Sequence, residues 1–310
     1  MENENLLSYL NKHNISKSDL VNKVGLSSRT VAKLSKGEKI SMRTIQRIAA
    51  FLNCDVNELL SADRSNTGNP VLNTLREEKL NQTHGRLYHE LQVRMTYNSS
   101  HIEGSRLTEE QTRFIFETKT MNAKFDIPVN DIIETVHHFR AIDFIIDTAE
   151  EVLTEDYIKK IHYILFRDTI REPWFQAGNY KTKANIVGGR ETVKPRFVHK
   201  KVEELLHNYN SKSEINIYDV IAFHADFECI HPFQDGNGRV GRLIAFKECL
   251  RNNIAPFIIE DIKKSYYYNG LMKWPLEKEW LNDTCLDGQD TFKAILDALE
   301  IRYQGSASSV

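Results

Sequence analysis

The chain has 310 residues, 41% of them hydrophobic and 27% charged, a balance that excludes wholesale disorder and collagen-like repetition. Lys and Arg number 41 against 43 Asp and Glu, so the net charge of −2 excludes nucleic-acid binding over the whole surface but leaves room for a local basic patch. The four cysteines (Cys54, Cys229, Cys249, Cys285) form no CxxC pair, which predicts neither a disulfide framework nor a zinc site and fits a reducing compartment. At roughly 100–200 residues per domain, about two domains are expected.

Residues 1–62 read as a run of short helices. Leu6, Leu7 and Leu10 give one apolar face, and Ser16 starts a second helix carrying Leu20, Val21 and Val24. Gly25 breaks it, and Leu26-Ser27-Ser28 caps a third helix with Val31 and Leu34, ended by Gly37. Ser41 caps a fourth with Ile45, Ile48, Ala49 and Leu52, and Asp55 opens a last turn. The acidic, amphipathic start lacks the pattern of a secretory leader, and no stretch has the length of a membrane span, so a cytoplasmic protein without membrane contact is expected. Helix, glycine-containing turn and polar-fronted helix make a helix-turn-helix. The segment resembles the five-helix DNA-binding domains of phage-repressor type.

Between Lys23 and Arg47 stand seven basic residues (Lys23, Arg29, Lys33, Lys36, Lys39, Arg43, Arg47) against one acid, Glu38. One reading is a solvated face or a protein-docking surface. The other places Ser28, Arg29, Thr30 and Lys33 at a DNA major groove, with lysines on phosphates.

Polar residues with Gly68 and Pro70 predict a linker over 63–80. A helical segment is expected over 81–118 and the main domain over 119–310. Helices are predicted from Arg86 to Ser100, from a capping box at Thr108 and Gln111, over 130–149 and 154–168, and over 198–210, 217–227, 239–252 and 290–302. Tyr180–Pro195 alternates like strands around Gly188-Gly189, which predicts a hairpin with edges free to pair. The fold class expected is therefore all-α with one small β-hairpin.

The most informative segment is HPFQDGNGRVGR, His231–Arg242, between two apolar helices. Gly236, Asn237 and Gly238 form a compact loop whose N–H groups can face an anion, and the following helix adds its N-terminal dipole. Arg239 and Arg242 offer guanidinium forks to phosphate oxygens. Asp235 is a hard oxygen ligand of the kind Mg²⁺ uses beside phosphates. His231 can take a proton from a hydroxyl, and Phe233 would anchor the loop in the core.

This segment matches HPFx[D/E]GNGRxxR at every specified position and is similar to the signature of the Fic (filamentation-induced by cAMP) family, over roughly residues 86–303. The resemblance implies transfer of AMP from ATP to a Ser, Thr or Tyr hydroxyl of a protein, itself included. By position, His231 would be the base and Asp235 the ligand of Mg²⁺ or Mn²⁺. Gly236, Asn237, Gly238, Arg239 and Gly241 would line the phosphates, and Arg242 the γ-phosphate. The hairpin, through Asn185, Ile186, Val187 and Gly188, would lie over the nucleotide and align the target by strand addition; the other reading is a surface hairpin. KKSYYYNGL resembles a family helix against adenine, through Tyr267, Tyr268 and Leu271, although Pro275 stands where the family pattern has Asn, and tyrosines so spaced are commonly core.

Ser99-Ser-His-Ile-Glu103-Gly104 matches the family's inhibitory pattern [S/T]xxxE[G/N], with Gly104 suited to a helix C′ position. The resemblance implies that Glu103 pairs with Arg242 and displaces the γ-phosphate. Two other readings share these residues: removal of AMP from a modified protein, and a transcription regulator that senses nucleotide. A homo-oligomer is a further expectation, since repressor-type domains commonly dimerise.

Overall fold

The structure is a computed structural model that describes residues 6, 10, 15–35, 40–52, 67–121, 126–172 and 174–306. Leu7, Lys36, Gly37, Glu38, Lys39, Cys54, the turn expected from Asp55 and linker residues 63–66 lie outside them. The chain divides into two compact units, Met1–Thr67 and Gly68–Val310.

In the first unit, α1 (Lys17–Asn22) begins with a capping box in which Ser16 and Asp19 satisfy each other's backbone N–H groups. α2 (Ser28–Ser35) is capped by Ser27, whose Oγ accepts from Thr30 N at 3.1 Å. Ser41 caps α3 (Met42–Leu52). Leu20, Val24, Leu26, Val31, Leu34, Ile45 and Ile48 close a core with Leu6 and Leu10. Gly25 turns at φ +71°. Arg47, expected in the basic patch, instead donates to Val24 O at 2.8 Å and Gly25 O at 3.1 Å and so locks that turn.

The second unit begins at Gly68. Residues 70–80, expected as linker, form α4 (Pro70–Leu80) and bury Val71, Leu72 and Leu75. Asn69 caps the helix through Leu72 N, and its Nδ2 donates to Leu250 O at 2.6 Å. Pro70, which supports a linker in the sequence, is here the first residue of a helix capped by Asn69. α5 (Leu87–Ile102), α6 (Glu109–Thr118), α7 (Val129–Thr148) and α8 (Glu155–Phe166) follow, with the predicted Thr108–Gln111 capping box present.

β1 (Ile186–Val187) and β2 (Arg190–Glu191) pair antiparallel, and positive φ at both Gly188 and Gly189 suits the tight turn between right-twisted strands. They are the only strands among the described residues. α9 (Pro195–Asn210), α10 (Ile217–Ile230), α11 (Asn237–Arg251), α12 (Lys264–Lys273) and α13 (Glu279–Ala298) complete the unit.

α13 starts well before the predicted 290. Within it lies Gly288, where a Cβ would meet Ile258 O at 2.5 Å; the glycine admits a crossing chain without ending the helix. α11 is buried on all sides, from Asn237 to Leu250, and packs with α10, α7, α8 and α5. A central helix with apolar residues all round has no solvent face, so the charged groups at its N-terminus must find partners inside the unit.

Candidate active site

The loop between α10 and α11 is held from three sides. His231 ends α10 in the left-handed region at φ 53° and donates its N–H to Phe227 O at 2.9 Å. Phe233 is fully buried and stacks on His162 of α8, with ring centroids 3.9 Å apart. Asn237 clasps the loop: Phe233 N donates to its Oδ1 at 2.8 Å, and its Nδ2 donates to Phe233 O at 2.9 Å. The Asn237 side chain, expected on phosphate, is therefore engaged in shaping the loop. Gly236 sits at φ +79°, where a Cβ would fall 2.2 Å from the Phe166 ring, so only glycine fits.

His162 was not singled out from the sequence. Gly178 N donates to its Nδ1 at 2.7 Å, so the proton sits on Nε2, which faces Asp235 O at 3.2 Å. Burial drives its pKa down to about 3 and keeps it neutral.

His231 is neutral too. Burial, then the Lys181 charge, lowers its pKa to about 4, which leaves an imidazole able to accept a proton at neutral pH. Lys181, also missed, is buried at the base of the hairpin. Its N–H donates to Pro232 O at 2.9 Å, and its Nζ donates to Asn185 Oδ1 at 2.9 Å and Thr192 Oγ1 at 2.6 Å. The hairpin is thus tied to the loop that carries His231, while Ile186 and Val187 stay exposed.

Arg242 is 5% exposed and fully engaged. Its Nε donates to Ser99 Oγ at 3.0 Å, its Nη2 to Ser99 O at 2.8 Å and to Glu103 Oε1 at 2.7 Å. The sequence-predicted trio is brought together across 139 to 143 residues of chain. Glu103 caps the C-terminus of α5, and Gly104 follows at φ +98°. A Cβ on Gly238 would meet Glu103 Oε1 at 2.2 Å. The carboxylate therefore lies over the first turn of α11, where helix N–H groups and dipole favour an anion.

Five residues expected at the nucleotide make the following contacts within the unit. Tyr267 is fully buried; its OH receives Arg242 Nη1 at 3.3 Å and meets His224 Nε2 at 2.9 Å, so it supports Arg242. Gly241 lets α10 and α11 close, since a Cβ there would meet Glu228 Oε1 at 2.4 Å. Arg239 donates to Glu134 of α7, over the Phe166 ring. Tyr268 is exposed and donates to Ile102 O at 3.2 Å, and Leu271 packs at the edge of the core beside α10.

Asp235 accepts from Gly236 N at 2.6 Å and from Arg171 Nη1 at 2.7 Å. Burial would raise its pKa, but the Arg239 and Arg171 charges outweigh that and lower it. No cluster of three or more His, Cys, Asp or Glu suited to a metal occurs among the described residues. A single half-exposed carboxylate beside the start of α11 fits a cation that takes most of its ligands from nucleotide and water.

The second unit is thus helical with one hairpin, and a left-handed histidine precedes a helix start covered by the Glu103 carboxylate. Residues 152–248 match the Fic/DOC family, and residues 5–64 match the Cro/C1-type HTH DNA-binding domain. The chain therefore carries a Fic/DOC domain and, before it, a Cro/C1-type helix-turn-helix domain.

Protein adenylyltransferase fic-1 of Caenorhabditis elegans is 27% identical over 198 residues, covering 60% of this chain and 37% of that protein. Protein adenylyltransferase Fic of Drosophila mojavensis is 27% identical over 188 residues, covering 56% and 35%. The match thus spans little more than a third of these relatives. Among solved structures, Fic-1 of C. elegans superposes with a TM-score of 0.59 at 18% identity, covering 92% of this chain and 97% of that one. A Fic domain containing signaling protein from Bacteroides thetaiotaomicron gives 0.57 at 22%, covering 74% and 94%. These share the fold.

Proposed function

We propose that this chain is a protein adenylyltransferase that moves AMP from ATP to a Ser, Thr or Tyr hydroxyl of a protein, itself included, and that Glu103 holds it in check. Neutral His231 takes the proton of the target hydroxyl. The hydroxyl oxygen bonds to the α-phosphorus as the bond to the β-phosphate oxygen breaks, and pyrophosphate leaves. The N–H groups at the start of α11 face the phosphates, and Arg242 takes the γ-phosphate. Asp235 would hold Mg²⁺ or Mn²⁺, which when bound offsets charge on the phosphates and the leaving group. The chain's contribution is positioning and preorganised charge. The exposed edges of β1 and β2 offer backbone groups to an extended target segment.

One observation carries the reading. A protein carboxylate, Glu103, occupies the arginine and helix start that a terminal phosphate needs, in a loop that also presents a neutral histidine. Incubation with ATP labelled at the α-phosphorus tests it. Glu103→Gly should raise protein labelling at least ~10-fold over wild type, and His231→Ala in that background should abolish it. Equal labelling by wild type and Glu103→Gly would remove the inhibition from the account.

The first unit is proposed to bind DNA. Ser28, Arg29 and Lys33 are exposed on α2, and Thr30 is half-buried beside its cap. A recognition helix presents its N-terminal residues to base edges in this way.

A further inference from the structure

Glu134 and Arg171 lie outside the loop motif, yet both reach it. Glu134, in α7, receives Arg239 on one carboxylate oxygen and Arg171 on the other. Both guanidiniums lie over the Phe166 ring, with Cζ 4.8 Å and 5.1 Å from its centroid, and Arg171 also covers Phe175 at 5.2 Å. Glu134 and Arg239 side chains are 12% and 8% exposed, Arg171 25%. The remaining fork of Arg171 donates from Nη1 to Asp235 Oδ2 at 2.7 Å. Oδ1 of Asp235 accepts from Gly236 N, whose backbone fixes it, and Oδ2 accepts from the charged guanidinium.

We propose that Arg171 is a positioning residue that competes with the divalent cation for Asp235 Oδ2, with Glu134 as the anchor that keeps it there. The guanidinium and a metal ion draw on the same oxygen and repel each other, so the Arg171 contact weakens cation binding and its release strengthens it. Arg171 can release Asp235 and keep its bond to Glu134, because separate nitrogens make the two contacts. Without nucleotide the carboxylate stays paired and holds a cation poorly. A metal–nucleotide complex adds phosphate oxygens to the same ion and tips the exchange. The site would thereby discriminate against free metal. This inference rests on the reading of Asp235 as the metal-bearing residue of a nucleotide site.

The test measures binding, with the full chain carrying Glu103→Gly and α,β-methylene-ATP, which cannot release AMP. Calorimetry at a series of Mn²⁺ concentrations gives the Mn²⁺ level that half-restores nucleotide affinity. Arg171→Gln should lower that level at least ~5-fold and leave nucleotide affinity without metal unchanged within ~2-fold. Arg171→Lys, which keeps the charge but not the fork, should fall between. Glu134→Gln should act in the same direction as Arg171→Gln but less, which covers the case of a poorly folded Arg171 variant. An unchanged or higher Mn²⁺ requirement in Arg171→Gln and Glu134→Gln would overturn the inference while leaving the adenylyltransferase reading intact. No binding of the analogue to the Glu103→Gly protein at any Mn²⁺ level would overturn both.

Discussion

Arg239 and Arg242 sit one turn apart on α11, and each is met by a carboxylate from a different helix. Arg242 meets Glu103 at the C-terminus of α5, next to Gly104, which turns at φ +98° in open space. Arg239 meets Glu134 inside the 20-residue helix α7, followed by buried Thr135. A carboxylate at a helix end can withdraw by a local change of one or two residues. One past the first turn of a helix is fixed by the backbone bonds on either side. The same ion-pair chemistry therefore serves two ends: a removable block over the helix start, and a strut that shapes the loop.

The largest expected effect separates the two. Glu134→Ala leaves two mostly buried guanidiniums without their shared partner and should destabilise the second unit by about 3 kcal/mol, read by urea denaturation. Glu103→Ala should change stability by less than about 1 kcal/mol, because Arg242 keeps Ser99 Oγ, Ser99 O and the Tyr267 hydroxyl. Equal losses would erase the distinction between block and strut.

Gly236→Ala comes next. It places a Cβ against Phe166 at 2.2 Å and strains a positive φ, and should cost about 1–3 kcal/mol and most of the labelling. Since Phe166 carries both Arg239 and Arg171, the damage should also loosen Arg171 from Asp235 and so lower the Mn²⁺ requirement even as transfer falls.

A smaller effect concerns pH. With His231 lowered to about 4, first by burial and then by Lys181, labelling by Glu103→Gly should hold from pH 7 to about pH 5 and fall below that as the imidazole protonates. Lys181→Met removes a nearby positive charge, so the fall should begin at higher pH. A fall at lower pH in that variant would show that Lys181 does not act on His231 through its charge.

Much of this was legible in the chain because the features are local. The loop motif, the Ser99–Glu103 spacing, the glycine pair of the hairpin and the caps at Ser16, Thr108 and Ser41 each lie within a dozen residues. What escaped was long-range. Glu134 lies 105 residues from Arg239, and Arg171 lies 64 from Asp235; neither has a local signature. His162 and Lys181 look like ordinary members of a helix and a loop until the fold sets them against Phe233 and Asn185.

Two stretches run further as helix than the sequence predicts. Asn69-Pro70 starts a helix as readily as it ends one. Gly288 permits a close crossing without breaking α13. Tyr267, expected at adenine, is fully buried and accepts from Arg242 Nη1.

The central claim is that the loop delivers the α-phosphoryl group with its adenosine to a hydroxyl. Parallel incubations of the Glu103→Gly protein with ATP labelled at the α- or the γ-phosphorus test it most directly. The account predicts acid-stable label on protein from α-labelled ATP only, lost with His231→Ala. Label from γ-labelled ATP, or from neither, would contradict it.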